Sequence, residues 1–266
     1  MAFRVWCAHA ACGVALALGA GAAAAEAQTS RPLYTFDINL LHQSLTGDRP
    51  VQQELTLQLT RRVGPRNTLF AALDQHNRFN ELDTEITVGG SHTLPRQKMR
   101  VTASYTEGLG VEQASEHALD VKVGQALAKH FEPEVKYEFK YYDPDVITHV
   151  LSLGALVPVN RTVRLTGGFQ HSFGPRGDHG NAFSANLNLT ATPKIELVFG
   201  GGFGDEHVIA RAQTEVLRFD KLAFTSQAGV NWTIDGRRTL SVSYQYQDRI
   251  DLYKINGLTV DWSVAF

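Results

Sequence analysis

Apolar and polar residues alternate with period two along most of this chain. In 35–40 Phe36, Ile38 and Leu40 share one parity, and Asp37 and Asn39 take the other. Leu55, Leu57 and Leu59 oppose Thr56, Gln58 and Thr60. Met99, Val101, Ala103 and Tyr105 oppose Lys98, Arg100, Thr102 and Ser104. The same rhythm returns in 118–124, 134–142, 162–170, 182–190 and 239–247, and it carries the last residues, where Leu258, Val260, Trp262, Val264 and Phe266 lie on one parity. Such alternation predicts half-exposed β-strands.

Two kinds of connection separate the runs. Tight turn signals rich in Gly, Pro, Asn and Asp fall at 63–67, 94–97, 129–133, 158–162, 191–194 and 234–238. More polar loops fall at about 45–50, 77–81, 108–116, 143–145, 173–181, 204–214 and 248–253. The two kinds alternate strictly, which predicts about 14 antiparallel strands, with 12 or 16 also compatible. Both ends of the chain then lie on the tight-turn side. The stretch 214–224 has the weakest pattern, and its strand can begin anywhere from Val216 to Leu222.

The front of the chain reads as a secretory signal: Arg4, then a short Ala-rich apolar run from Val14 to Ala25, then Ala25-Glu26-Ala27 as a cleavage site. Residues 1–27 are expected to be removed and 28–266 to form one domain. Both cysteines, Cys7 and Cys12, fall in the segment removed, so no disulfide or thiolate metal site is expected. The net charge of −2 carries no basic surplus of the kind that nucleic-acid binders show. No apolar run after residue 27 is long enough for a spanning helix, so a membrane form must be a closed barrel.

A soluble sandwich or lipocalin-like barrel would also alternate. Three features favour a membrane barrel. The polar parity is rich in Thr, Ser, Asn, Gln and Gly, as suits a hydrated lumen too wide for side chains to fill. Aromatics fall near strand ends: Tyr105, Tyr141 and Tyr246 toward the long loops, and Trp232, Trp262 and Phe266 toward the tight turns. Two such bands suit the two headgroup interfaces. Third, closure of the sheet pairs every backbone polar group inside lipid. The expected fold is a closed antiparallel transmembrane β-barrel with periplasmic termini.

The terminal strand ending in Phe266 resembles the signal that bacterial barrel-assembly machinery recognises in outer-membrane proteins. The stretch KYEFKYYDPDVITHVLSLGALVPVNRTVRLTGGFQHS (136–172) and the closing SYQYQDR (243–249) resemble the YaiO family of outer-membrane barrels. That resemblance, over essentially the whole of 28–266, implies an outer-membrane location in a Gram-negative-type cell and kinship with barrels that accompany exopolysaccharide export. It implies no catalytic residues and no cofactor.

Charged residues on the polar parity are the candidate chemistry. Lys98, Arg100, Asp120, Lys122, Lys136, Glu138, Lys140, Arg164, Glu196, Asp37 and Asp261 are expected to line the inner wall. They could select solutes by charge, or tie the wall together through cross-strand ion pairs. Their near balance of sign argues against strong ion selectivity. The leading reading is a non-enzymatic pore, passing small solutes or serving polysaccharide export. The second is a structural or adhesion barrel whose lumen is closed by salt bridges. The third is a lipid-modifying or proteolytic enzyme. His171 and Ser172 are adjacent on a strand and point to opposite faces, so they cannot form a dyad with each other; interfacial histidines beside headgroups are the simpler reading of His149 and His171. Asp178, His179, Asp205, Glu206 and His207 are read as solvated residues of two long loops, and Arg176-Gly177-Asp178 as a chance tripeptide. The glycines of 199–204 lack the Lys and helix of a phosphate loop. Expected partners are outer-membrane lipid, lipopolysaccharide and the assembly machinery, with no nucleic acid.

Overall fold

In the computed structural model the residues described are 32–46, 51–78, 81–109, 115–128, 130–143, 146–174, 179–212, 215–250 and 253–266. The proposed leader and Arg176-Gly177-Asp178 lie outside them, as do the side chains of Glu206 and His207. Alternating residues form fourteen strands: β1 Tyr34–Leu45, β2 Gln52–Val63, β3 Asn67–Arg78, β4 Glu81–Leu94, β5 Met99–Leu109, β6 His117–Gln125 and β7 Glu132–Asp143. The second half comprises β8 Val146–Pro158, β9 Val163–Phe173, β10 His179–Thr192, β11 Ile195–Ala212, β12 Glu215–Asp235, β13 Arg238–Arg249 and β14 Tyr253–Ala265. Each pairs antiparallel with its sequence neighbours, and β1 pairs with β14, so the sheet closes into a barrel without an edge.

The closing seam is continuous. It runs in register from Thr35 opposite Ala265 to Leu45 opposite Ile255. At its lower end Phe266 accepts hydrogen bonds from the Leu33 and Tyr34 amides at 3.0 and 2.9 Å, and its ring stacks on Tyr34 at 5.8 Å. The tight-turn end therefore also holds both ends of the described chain.

Registers carry one parity around the whole wall. Ile38 lies opposite Leu57 and Trp262, Leu57 opposite Leu73, and Leu73 opposite Ile86. Val230 is likewise opposite Val242, which is opposite Val260. This parity is the outer surface. Large apolar side chains on it are open: Leu258 is 47 % exposed, Trp232 46 % and Phe203 57 %. The few buried apolar residues, Leu45, Ala72, Val150, Ala223 and Ile255, all belong to the other parity. A water-soluble barrel would bury its large apolar residues and expose its small polar ones. Here the polarity is inverted, as lipid outside and water inside require.

The turns show local causes. Asp235 accepts from the amides of Arg237 and Arg238 at 2.9 and 2.8 Å, and its other oxygen meets the Arg238 guanidinium at 2.8 and 2.6 Å. Asn160 accepts from the Thr162 and Val163 amides at 2.8 and 2.9 Å, an Asx turn before β9. Gly89 faces the lumen beneath the ring of Phe70, and a Cβ there would also come within 2.7 Å of the Ala103 carbonyl oxygen. The aromatic ring covers the gap that the missing side chain leaves.

The strand pattern differs from expectation in one place. Residues 204–214, read as a polar loop, are mostly strand. β11 and β12 reach 18 and 21 residues and pair to Ala212 opposite Glu215. Their other neighbours stop earlier: β10 pairs with β11 only as far as Ala182 with Gly204, and β13 with β12 only as far as Arg249 with Ala223. The surplus is a two-stranded ribbon standing beyond the wall. Outside lipid no face of a ribbon has to be apolar, so the period-two signal fades although the backbone ladder persists. Glu206 and His207 thus lie on a strand rather than in a loop, and β12 starts at Glu215 instead of within 216–222.

Candidate pore lumen

Inward parity brings the charges of β5 to β11 onto one wall. On adjacent β6 and β7, Lys136 Nζ lies 2.8 Å from Asp120 Oδ2 and 3.3 Å from Glu138 Oε2. Lys140 reaches the other oxygen of Glu138 at 3.5 Å, and Lys122 meets Glu134 at 3.0 Å. Glu196 of β11 is held by Arg164 of β9, by Asn188 of β10 at 2.6 Å and by Asn231 of β12 at 3.3 Å. Arg100 stands beside these on β5, donating to Ser91 at 3.2 Å. Asp261 accepts from Asn39 across the closing seam, and Asp37 lies between Gln58 and Ser263.

Lys98 is placed differently from the expectation. It occupies the turn at 95–98 with φ near 49°, its amide donating to the Pro95 carbonyl at 3.2 Å. The left-handed backbone breaks the alternation that would have set it in the wall. Its side chain still lines the lumen, but at the tight-turn mouth.

A second charged group lies on the opposite arc. His76 of β3 sits between Glu54 of β2 at 3.5 Å and Glu85 of β4 at 3.1 Å. Asp74 accepts from Thr56 at 2.5 Å, and Ser115 donates to Glu85 at 3.2 Å. Asp83, 1 % exposed, is buried near the long-loop end of β4. With Asp37 and Asp261 these form an acidic arc over β14 and β1 to β4. The cations Arg100, Lys122, Lys136, Lys140 and Arg164 occupy β5 to β9. Lumen charge is mixed over β5 to β11, where these cations are interleaved with Asp120, Glu134, Glu138 and Glu196, and mainly acidic over β14 and β1 to β4. Alternation within β3 carried the signal, since Asp74 and His76 share the parity opposite Leu73 and Gln75.

Two cavities follow the cationic side. The lower, about 600 Å³, begins at Lys98 and Gln125 near the tight turns and passes Arg100 and Lys122. The upper, about 610 Å³, continues past Lys136 and Lys140 to Tyr142 and Gln247 at the long-loop end. Both are lined by Glu134, Gly154 and Thr166, so together they run the height of the wall. The described ion pairs of the lumen join strands at most two apart. They run around the wall.

The candidate pair His171 and Ser172 is split between the two faces of the wall. Ser172 is buried on the inner side with its hydroxyl 3.5 Å from the Gly180 carbonyl, whereas His171 lies on the outer side with Nδ1 3.0 Å from Asn181 Oδ1. No group of three or more His, Cys, Asp or Glu fit to hold a metal ion occurs among the described residues. The expected interfacial aromatics do lie on the outer parity: Tyr105 bonds Glu107, Tyr141 stacks on His117, Tyr246 donates to Asp248, and Trp232 and Trp262 flank Leu240.

No protein-family model matches the chain, and no curated protein matches it. Solved structures do share its fold. The outer-membrane protein Omp33 of Acinetobacter baumannii aligns with a TM-score of 0.54 at 13 % identity, covering 90 % of this chain and 100 % of that one. A bacterial polysaccharide outer membrane secretin gives 0.60 at 11 % identity, covering 90 % and 100 %. The CymD monoaromatic hydrocarbon channel gives 0.61 at 8 % identity, covering 89 % of each chain. The fold of this chain is therefore that of closed antiparallel outer-membrane β-barrels, fourteen strands around a polar lumen.

Proposed function

We propose that the protein is a non-enzymatic pore of the bacterial outer membrane. The observation that carries this reading is the pair of cavities that share Glu134, Gly154 and Thr166 and together follow the inner wall from the tight-turn end to the long-loop end. The tight turns and chain ends then face the periplasm and the long loops the exterior, the usual arrangement of such barrels. Hydroxyl, amide and charged groups along the route suit small hydrophilic solutes or a saccharide chain. Membership of the YaiO type, and a place beside an exopolysaccharide export system, are the finer form of the proposal. They are supported by the aromatic alternation of 136–172 and by the fold shared with a polysaccharide secretin.

Folded, heat-modifiable protein added to a planar bilayer is expected to give steady unitary current steps. Their repeated absence from correctly folded material would remove the pore and leave the structural barrel.

A further inference from the structure

Imidazoles gather in one sector of the lipid-facing surface, toward the long loops. His117 of β6 lies between Tyr105 and Tyr141, with ring centroids 6.2 and 5.7 Å away. His149 of β8 stacks on Phe173 at 4.9 Å and 15°, and lies 6.1 Å from Tyr137. His171 of β9 stacks on Phe173 at 5.9 Å and on His179 of β10 at 5.6 Å and 17°. Register produces this ladder. Phe139, His149, Phe173 and His179 are successive lateral partners across β7 to β10, and His171 is the partner of Leu151 and Asn181 one step below.

In three of these rings Nδ1 is engaged. His117 meets Glu107 at 3.0 Å, His149 meets the Tyr137 hydroxyl at 2.7 Å, and His171 meets the Asn181 carbonyl oxygen at 3.0 Å. A ring that donates Nδ1–H to an oxygen has an Nε2 without a proton while it is neutral. Protonation makes both ring nitrogens donors and gives the ring a positive charge, and the stacked aromatic neighbours receive the cation on their faces. Among the described side chains, the acids on the outer parity of the strands flanking the ladder are Glu107 on β5 and Asp205 on β11, while Glu196 of β11 faces the lumen; the ladder's own phenols are Tyr105, Tyr137 and Tyr141. Elsewhere on the rim the outer parity is mostly neutral: His42 beside Gln53, then Gln75 and Asn77. Asp248 and Lys254 neutralise each other at 3.3 Å.

The sector sits directly above the exposed Leu119, Leu151, Leu153 and Leu165, at the level where an apolar belt gives way to headgroups. Adjacent strands place the rings about 5 Å apart. We propose that this imidazole ladder binds the phosphate groups of outer-leaflet lipid, and holds them more tightly as the medium becomes mildly acidic. The proposal rests on the outer-membrane placement above. Anions at the headgroup level complement the charge that the sector gains.

The test uses folded protein in phosphatidylcholine nanodiscs doped with bisphosphorylated lipid A or with the same lipid after removal of its phosphates. Lipid retained per barrel is counted by native mass spectrometry at pH 5.5 and pH 8.0, which bracket the ordinary range of histidine. Retention of the phosphorylated form is expected to be on the order of tenfold greater at the lower pH, with the dephosphorylated form unchanged. The H149Q/H171Q/H179Q variant should lose that difference. Equal retention of the two lipids at both values overturns the proposal, as does a triple variant that keeps the pH response. A doubled particle mass without retained lipid overturns it too, since the ladder would then be a contact between two copies. If the triple variant fails to fold, wild-type protein compared on the two lipids decides. A chain that stays out of the discs overturns the membrane placement, and the proposal with it.

Discussion

Val242→Arg is expected to destabilise the barrel by about 2–4 kcal/mol, the cost of a cation on the lipid face near the bilayer midplane. Val242 stands on β13 between Val230 and Val260, 40 % exposed on the outer parity. An arginine there must either leave its charge in hydrocarbon or drag its stem along the strand to a headgroup. Ser241→Arg is the matched control. Ser241 is one residue away but faces the lumen between Asn231 and Asp261, where a guanidinium has water and a carboxylate to meet. Urea unfolding in lipid vesicles should show the first variant weakened and the second within about 1 kcal/mol of the parent. Equal effects would mean that the two parities do not face different solvents.

The double charge reversal Lys136→Glu and Lys140→Glu is expected to move the pore toward cations. In the parent these lysines hold Asp120 and both oxygens of Glu138, so the cationic wall presents paired charge. Reversal breaks those pairs and leaves five carboxylates, with Glu134, on one stretch of β6 and β7. The acidic arc of Asp37, Glu54, Asp74, Glu85 and Asp261 would then face a second acidic wall. The reversal potential in a salt gradient should shift to a cation-over-anion permeability ratio larger by on the order of threefold, and the shift should shrink as ionic strength rises. An unchanged ratio would remove these residues from the conducting route.

Much of this architecture is legible in the sequence because a membrane barrel imposes a strict rule on each spanning residue. Lipid on one side and water on the other force period two, and Asp235 and Asn160 mark turns by local hydrogen bonding that needs no distant partner. Where the rule lapses, reading fails. The ribbon of β11 and β12 lies beyond the wall, so its strands carry no apolar stripe. Lys98 lines the lumen from a left-handed turn position and not from β5, a placement that periodicity does not show. The site is less legible than the fold for a related reason. Parity puts Lys136 and Glu138 inside, but only register decides that Lys136 meets Asp120, or that His76 lies between Glu54 and Glu85. The imidazole ladder illustrates this best. His117, His149, His171 and His179 are scattered along the chain, and lateral pairing of β6 to β10 makes them one surface.

The most direct measurement takes Thr166, which lines both cavities where they meet. Thr166→Cys, in protein without Cys7 and Cys12, is inserted in a planar bilayer and treated with a bulky water-soluble methanethiosulfonate. A continuous aqueous lumen predicts steady current steps that fall when the reagent is added, and a Leu165→Cys control on the lipid face that does not respond. Folded protein that passes no current, or whose current ignores the label at residue 166 while responding at 165, would contradict a barrel with a watery interior and a lipid-facing shell.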